Sequence, residues 1–179
     1  MKTLLILICA CLLVVVHASS VPDQGTDELR ISVGLTTGER SRDSSSQTTT
    51  ITVEGSSIVW QTTFGGRGRG TPPSRKQFEL SSADKVDLLK LMRSNNLLLT
   101  DSIELPLDAP VFYFRISVDW ALAGEKGSIN ISGPKTAVKV KEEKLYQNTL
   151  TLVKELYRIM NGQDKTILLQ ELIREPINR

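Results

Sequence analysis

The sequence predicts an α+β domain, in which an antiparallel sheet of about five to seven strands carries two main helices packed on one face. Several segments alternate apolar and polar residues with a period of two, which is typical of half-buried strands. Two other segments space their apolar residues by three and four, which is typical of one face of a helix. An antiparallel sheet needs cover on one side only, so this set of elements predicts two layers.

Three segments predict the first part of the sheet. Apolar and polar residues alternate over 29–35. The β-branched run 48–53 and the alternation 58–64 flank a turn sequence at 54–56, and together they predict a hairpin. The polar, serine-rich segment 38–47 is expected to form a long exposed connection.

A first helix is predicted after a short strand at 76–80. Ser81 is followed three residues later by Asp84, a spacing that resembles a capping box at a helix start. Apolar residues then form a broad face as far as Met92. We expect the helix to end at Asn95 and Asn96, because asparagine tolerates the left-handed conformation that ends many helices.

The clearest alternation in the chain, at 112–120, predicts a central strand. Two further short strands are predicted at 128–131 and 137–140. The second long helix is predicted over about 142–161, with Gly162 at its C-cap.

The N-terminal residues predict an export signal. Lys2 precedes an apolar run at 4–16, and small residues follow from Ala18. The run is shorter than the roughly 18 apolar residues that a membrane span needs. Cleavage near Ala18 would make the product secreted or periplasmic, with no stable membrane insertion. The alternative is a lipoprotein anchored through Cys11.

Four segments follow from these observations. They are a signal peptide at 1–18, a flexible lead-in at 19–27, a single α+β domain at 28–163, and a C-terminal tail at 164–179. Residues 167–174 of the tail carry the pattern of a short amphipathic helix.

Cleavage would remove Cys9, Cys11 and His17, which are the chain's only cysteines and histidine. Catalytic triads with histidine, thiol catalysis and zinc sites built on His or Cys are therefore excluded from the mature domain. Without Lys2, the 22 basic residues become 21, against 20 acidic ones. This near-neutral balance gives no reason to expect nucleic acid or an anionic membrane as a partner.

A glycine-rich segment offers the first candidate binding residues. Arg67 and Arg69 alternate with glycines between residues 65 and 70. One interpretation is a mobile hairpin loop that two arginines keep soluble. The other is a recognition loop, because loops carried on a rigid sheet often hold binding residues.

The sites that remain are metal sites built from oxygen ligands and catalytic sites that use carboxylates. Asp101, Glu104 and Asp108 could donate oxygens to calcium, but their spacing differs from a known calcium loop, and a solvated loop is the simpler interpretation. A carboxylate pair of the glycosidase kind could involve Asp119 or Glu125. No cofactor is predicted.

Two tryptophans and one asparagine are the last residues considered as candidates for a binding or modification site. Trp60 and Trp120 lie on apolar alternations and are predicted to be core residues rather than ligand platforms. Asn130, Ile131 and Ser132 form a glycosylation sequon within a predicted strand, which matters only in a eukaryotic host.

The layout of residues 80–161 resembles small bacterial domains of the emfourin type. The residues that carry the likeness are Leu80–Ser81, Leu88–Leu89, the aromatic-rich 111–116 and the helical 152–156. Emfourin is a protein inhibitor of a metallopeptidase, so the resemblance implies a binding role. The serine-rich segment 38–47 departs from the glycine-rich start expected of such a domain, and no inhibitory residue can be matched.

The sequence therefore predicts a secreted, non-catalytic binding domain whose partner is another protein, with a secreted peptidase as one candidate. The alternatives are a small secreted enzyme that uses carboxylates or an oxygen-only metal site, and a structural component of a cell envelope.

Overall fold

A computed structural model describes residues 29–39, 45–66, 72–105, 112–134 and 143–167. Several predictions lie outside these residues: the signal peptide and lead-in, the loop arginines Arg67 and Arg69, Asp108, the strand at 137–140, and the tail helix beyond Ile167. Within the described residues, seven strands form one sheet and two helices accompany it, so the predicted α+β class is confirmed.

The strands are β1 (Arg30–Glu39), β2 (Ser45–Glu54), β3 (Ser57–Gly66), β4 (Ser74–Glu79), β5 (Asp101–Glu104), β6 (Phe112–Leu122) and β7 (Glu125–Pro134), and the helices are α1 (Ser82–Ser94) and α2 (Lys144–Gln163). The strand order across the sheet is β4-β3-β2-β1-β6-β7-β5. All neighbouring strands are antiparallel except β5 and β7, which are parallel. Neither helix combines the length and apolar composition that a membrane crossing requires.

The alternation predicted from the sequence separates the two faces of the sheet. Ile31 lies opposite Val53 on one side and Trp120 on the other, and all three are buried. These inward residues form a single apolar core with the buried faces of both helices, which include Leu88 and Leu156. The opposite face of the sheet carries the polar residues of each alternation.

The connection predicted at 38–47 is shorter than expected. β1 continues to Glu39 and β2 begins at Ser45, so only residues 40–44 separate the two strands. The hydroxyls of Thr36 and Thr48 lie 3.1 Å apart across this hairpin. Continuous cross-strand pairing overrides the turn-like composition of the segment, because each added residue satisfies its backbone groups on the ladder.

Strand β5 was not predicted. The solvated loop expected around Asp101 and Glu104 is instead a four-residue strand, paired in parallel with residues 129–132 of β7. It is too short to show periodicity, and Ile103 is its only apolar residue. The edge of β7 supplies the backbone partners that make this segment a strand.

Helix α1 begins and ends as predicted. The Ser81 hydroxyl accepts a hydrogen bond from the Asp84 backbone N–H at 3.1 Å and lies 2.5 Å from the Asp84 carboxylate. Asn95 caps the other end, and Asn96 has a φ of 51° in the left-handed region. Local side-chain chemistry decides both ends, so they could be found from the sequence.

Helix α2 does not end at Gly162. It continues through Gln163, whose side-chain amide donates to the Glu79 carbonyl at 2.7 Å and accepts from the Glu79 N–H at 3.0 Å. This amide occupies the edge of β4 as a further strand would. It thereby covers part of the outer edge of β4, which pairs with no other described strand on that side.

The turn after α2 contains a close ionic contact with β4. Lys76 Nζ lies 2.6 Å from the Asp164 carboxylate, which also accepts bonds from the Thr166 N–H at 2.8 Å and its hydroxyl at 2.7 Å. The Lys76 bond first, and the Thr166 bonds second, lower the pKa of Asp164 from 3.8 to about 2. The carboxylate form is therefore favoured in the folded protein.

The first prediction concerns this carboxylate. Because its pKa is lower in the folded state, its contribution to stability is present above about pH 4 and is lost as the pH falls towards 2. Lys76→Met should raise the Asp164 midpoint towards 3.8, measured by NMR titration of the side-chain carboxyl carbon. Lys90→Met, which alters a lysine elsewhere, should leave the midpoint unchanged. An unshifted midpoint in Lys76→Met would contradict the assigned cause.

A central groove on the open face of the sheet

The outward face of the four middle strands is built from small polar side chains. Its positions are Thr48, Thr50 and Thr52 on β2, Ser32, Gly34 and Thr36 on β1, Arg115, Ser117 and Asp119 on β6, and Ser128, Asn130 and Ser132 on β7. Of these twelve, only Arg115 and Asp119 are charged. No described helix or strand packs over this face. Its hydroxyl-bearing residues are half-buried, except Ser132, which is buried.

The floor of this face depends on a residue without a side chain. A Cβ at Gly34 would lie 2.6 Å from the Ser117 hydroxyl oxygen, well inside contact distance. Glycine at this position of β1 therefore lets the side chain from β6 lie across the strand. This part of the outward face is therefore flat, with few projecting side chains.

A groove of about 640 Å³ crosses β2, β1, β6 and β7 at one end of this face. We call it the central groove. Its hydroxyl groups come from Ser32, Thr52, Thr100 and Ser128. The Thr100 hydroxyl lies 3.3 Å from the Ser128 backbone N–H, which ties the segment before β5 to the rim. Its volume falls in the range of sites that hold small molecules or short peptide segments.

Four charged residues line the central groove: Arg30, Glu54, Asp119 and Lys126. Arg30 Nη2 lies 3.5 Å from Glu54 Oε1, with side chains 71% and 62% exposed, and such exposed pairs contribute little to stability. Asp119 and Lys126 are exposed, and neither forms an ion pair or hydrogen bond with another described side chain. Among the described residues, the groove thus presents one carboxylate and one ammonium group without a partner.

The sequence offers Asp119 or Glu125 as one member of a carboxylate pair. Asp119 lines the groove, whereas Glu125 lies at the start of β7 outside it. Glu54 is the second carboxylate of the groove, and the sequence analysis did not single it out. Its place depends on the pairing of β2 with β1, which no local pattern reveals.

The predicted oxygen ligands also lie apart. Asp101 lies opposite the inward Ile129, whereas Glu104 lies opposite the outward Ser132, so the two carboxylates point to different faces of the sheet. Among the residues that the structure describes, no group of three or more candidate ligands is close enough to hold a metal ion.

The loop arginines are not tested by the structure, since Arg67 and Arg69 lie outside the described residues. The last described residue before them, Gly66, ends β3. Phe64, near this end, lines a second cavity of about 340 Å³ together with Phe112 of β6. Phe112 is 60% exposed and Phe64 is 37% exposed, so this end of the sheet carries apolar surface.

Asn130 lies in a strand, as predicted, between Ser117 of β6 and Ser102 of β5. Its side chain is half-buried on the outward face, two residues from the groove residue Ser128. A sugar attached there would stand beside the central groove. The glycosylation prediction itself stays conditional on a eukaryotic host.

The tryptophans are core residues to different degrees. Trp120 is buried and donates its indole N–H to the Leu99 carbonyl at 3.0 Å, as expected of a core tryptophan. Trp60 is half-buried against the core. Within the described part of the chain, neither its buried indole nitrogen nor the buried Tyr157 hydroxyl forms a hydrogen bond of acceptable geometry. Burial raises the pKa of Tyr157, and a polar contact with the Trp60 indole N–H, too poorly aligned to count as a hydrogen bond, lowers it in part.

The second prediction concerns this hydroxyl. A buried hydroxyl without a partner costs free energy, so Tyr157→Phe should leave the free energy of unfolding within about 0.5 kcal/mol of wild type or increase it. Leu156→Ala, at the adjacent fully buried position, should cost about 2–5 kcal/mol. Urea unfolding measures both. A loss above about 1 kcal/mol in Tyr157→Phe would mean that the hydroxyl has a partner in solution.

Two comparisons with known proteins, one with family models and one with curated proteins, found no match. The resemblance to emfourin-type domains therefore stays a prediction from residues 80–161.

Proposed function

We propose that this domain is a non-catalytic binding module that acts after export and recognises another protein through the central groove. One observation carries the proposal: on a face that no described element covers, the groove places a carboxylate, Asp119, and an ammonium group, Lys126, neither of which pairs with a described side chain. Charges arranged in this way select partners and speed association more than they raise affinity.

The arrangement of the fold supports the same role. The helices and the inward side of the sheet account for the apolar core, so changes on the outward face need not disturb folding. The exposed pair of Arg30 and Glu54 borders the groove without filling it. The likeness of residues 80–161 to emfourin-type inhibitors makes a secreted peptidase the first partner class to test.

The third prediction tests the groove by exchanging its charges. The double variant Asp119→Lys with Lys126→Glu keeps the net charge and alters only exposed side chains, so its stability should stay within about 0.5 kcal/mol of wild type. Its affinity for the partner should fall by at least about threefold, since favourable pairs become repulsive. The partner would be captured from the secreted proteins of the source organism and its affinity measured by surface plasmon resonance.

A matched control exists on the other side of the sheet. Asp87 and Lys90 are exposed on α1 and lie 3.7 Å apart, and exchanging them also keeps the net charge. Asp87→Lys with Lys90→Glu should bind the partner as wild type does. Equal binding by the groove variant would remove the central groove from the proposal. Loss of binding only in Arg67→Ser with Arg69→Ser would assign recognition to that loop instead.

Peptidase inhibition is tested separately. Purified secreted peptidases of the same organism are assayed with and without the domain. Inhibition that the groove variant loses and the α1 variant keeps would support the inhibitor role. Cleavage of the domain as an ordinary substrate would contradict it.

A further inference from the structure

The charges of Asp119 and Lys126 in the central groove have a defined spacing. Asp119 of β6 lies opposite Ser128 of β7, and Ala121 lies opposite Lys126. Asp119 and Lys126 are therefore diagonal neighbours on the same face of the sheet. Diagonal neighbours in an antiparallel pair have their Cα atoms roughly 7–8 Å apart, with the Cβ atoms somewhat closer.

Resting on the proposed protein-binding function, we infer that the central groove binds an extended segment of the partner that carries a basic and an acidic residue two positions apart. In an extended chain, side chains at positions i and i+2 point to the same side and are about 6.6–6.8 Å apart. This spacing matches the diagonal of Asp119 and Lys126. The basic residue of the segment faces Asp119, and the acidic residue faces Lys126.

The hydroxyl groups of the groove suit the backbone of such a segment. Ser32 lies between Thr52 and Asp119 in one row across three strands, and Ser128 continues the row on β7. A hydroxyl can both donate and accept a hydrogen bond, so it can serve either the N–H or the C=O groups of an extended chain. The floor therefore tolerates many sequences, and the two charges select among them.

The probes are three synthetic peptides that differ only in charge. Each is a blocked pentapeptide of serine with two charged positions: Ser-Lys-Ser-Glu-Ser, Ser-Lys-Ser-Lys-Ser and Ser-Glu-Ser-Glu-Ser. Each is titrated into the ¹⁵N-labelled protein and followed by amide chemical shifts. The mixed peptide should bind at least about threefold more tightly than the other two. The largest shifts should occur at Ser32, Asp119 and Ser128.

Single reversals should change the preference in a defined direction. Lys126→Glu leaves two carboxylates on the diagonal and should favour the peptide with two lysines. Asp119→Lys leaves two cations and should favour the peptide with two glutamates. Asp87→Lys and Lys90→Glu on α1 should keep the wild-type preference for the mixed peptide.

Two results would overturn the inference. The first is equal binding of all three peptides, or shifts confined to residues outside the groove. The second is a wild-type protein that sediments as a dimer and becomes a monomer in Asp119→Lys, which would assign the groove to a second copy of the chain. If the peptides fail while the groove variant still loses its protein partner, the inference fails and the proposed function stands. If that variant keeps its partner, the proposed function fails.

Discussion

Phe114→Ala should lower the free energy of unfolding by about 3–5 kcal/mol, the largest effect we expect from a single substitution. Phe114 is 1% exposed, and its ring meets Tyr146 of α2 edge-on, with the ring centroids 5.9 Å apart. The substitution removes this aromatic contact and leaves a cavity between β6 and the helix. Small domains have only about 5–15 kcal/mol of stability, so the variant should be close to unfolding.

Phe112→Ala is the matched control, because it removes the same side chain from the same strand. Phe112 is 60% exposed, so its loss should cost less than about 0.5 kcal/mol. Urea unfolding of both variants gives the comparison directly. Similar losses in the two variants would mean that the first turn of α2 does not cover Phe114 in solution. A loss below about 1 kcal/mol for Phe114→Ala would contradict its place in the core.

Gly127→Ala should lower the free energy of unfolding by about 1–3 kcal/mol. A Cβ at this position would lie 2.6 and 2.7 Å from two ring carbons of Trp120 and 2.8 Å from the Leu99 carbonyl oxygen. The ring cannot simply move away, since its N–H is bonded to the same carbonyl at 3.0 Å. The substitution should therefore disturb this bond as well, which tryptophan fluorescence would report.

Gly162→Ala is the matched comparison, and it should raise the free energy of unfolding instead of lowering it. Gly162 lies inside α2, and a Cβ there would meet nothing within 4 Å. Alanine in a helix is more stable than glycine by about 0.5–1 kcal/mol, so this variant should gain stability. Destabilisation of that size would instead support the C-cap role that the sequence suggested for Gly162. Thermal unfolding of the two glycine variants, measured side by side, should show a lower midpoint for Gly127→Ala and a higher midpoint for Gly162→Ala than for wild type.

The candidate site could be predicted only in part. Asp119 was singled out from the sequence as a carboxylate, with Glu125 as the alternative and with no second member of the pair named. The groove instead joins Asp119 to Glu54 and Arg30, which are far away along the chain. The alternation around Ser32 and Thr52 shows that these residues point away from the core. It does not show which strands become neighbours.

The sequence by itself determined the features that depend on near neighbours. The period-two pattern of β6 placed Phe114 and Ile116 in the core, and both are buried. The Ser81 cap and the Asn95–Asn96 stop set the ends of α1. These outcomes follow from side-chain direction and from local hydrogen bonds, which a few adjacent residues settle.

The tertiary structure decided whatever depends on distant backbone partners. β5 exists because the edge of β7 pairs with it, and α2 continues to Gln163 where that side chain can close the edge of β4. The row of Thr52, Ser32, Asp119 and Ser128 forms because β2, β1, β6 and β7 lie side by side in one register. The pairing of strands far apart in sequence sets that register, and shifting it by one residue would turn these side chains towards the core.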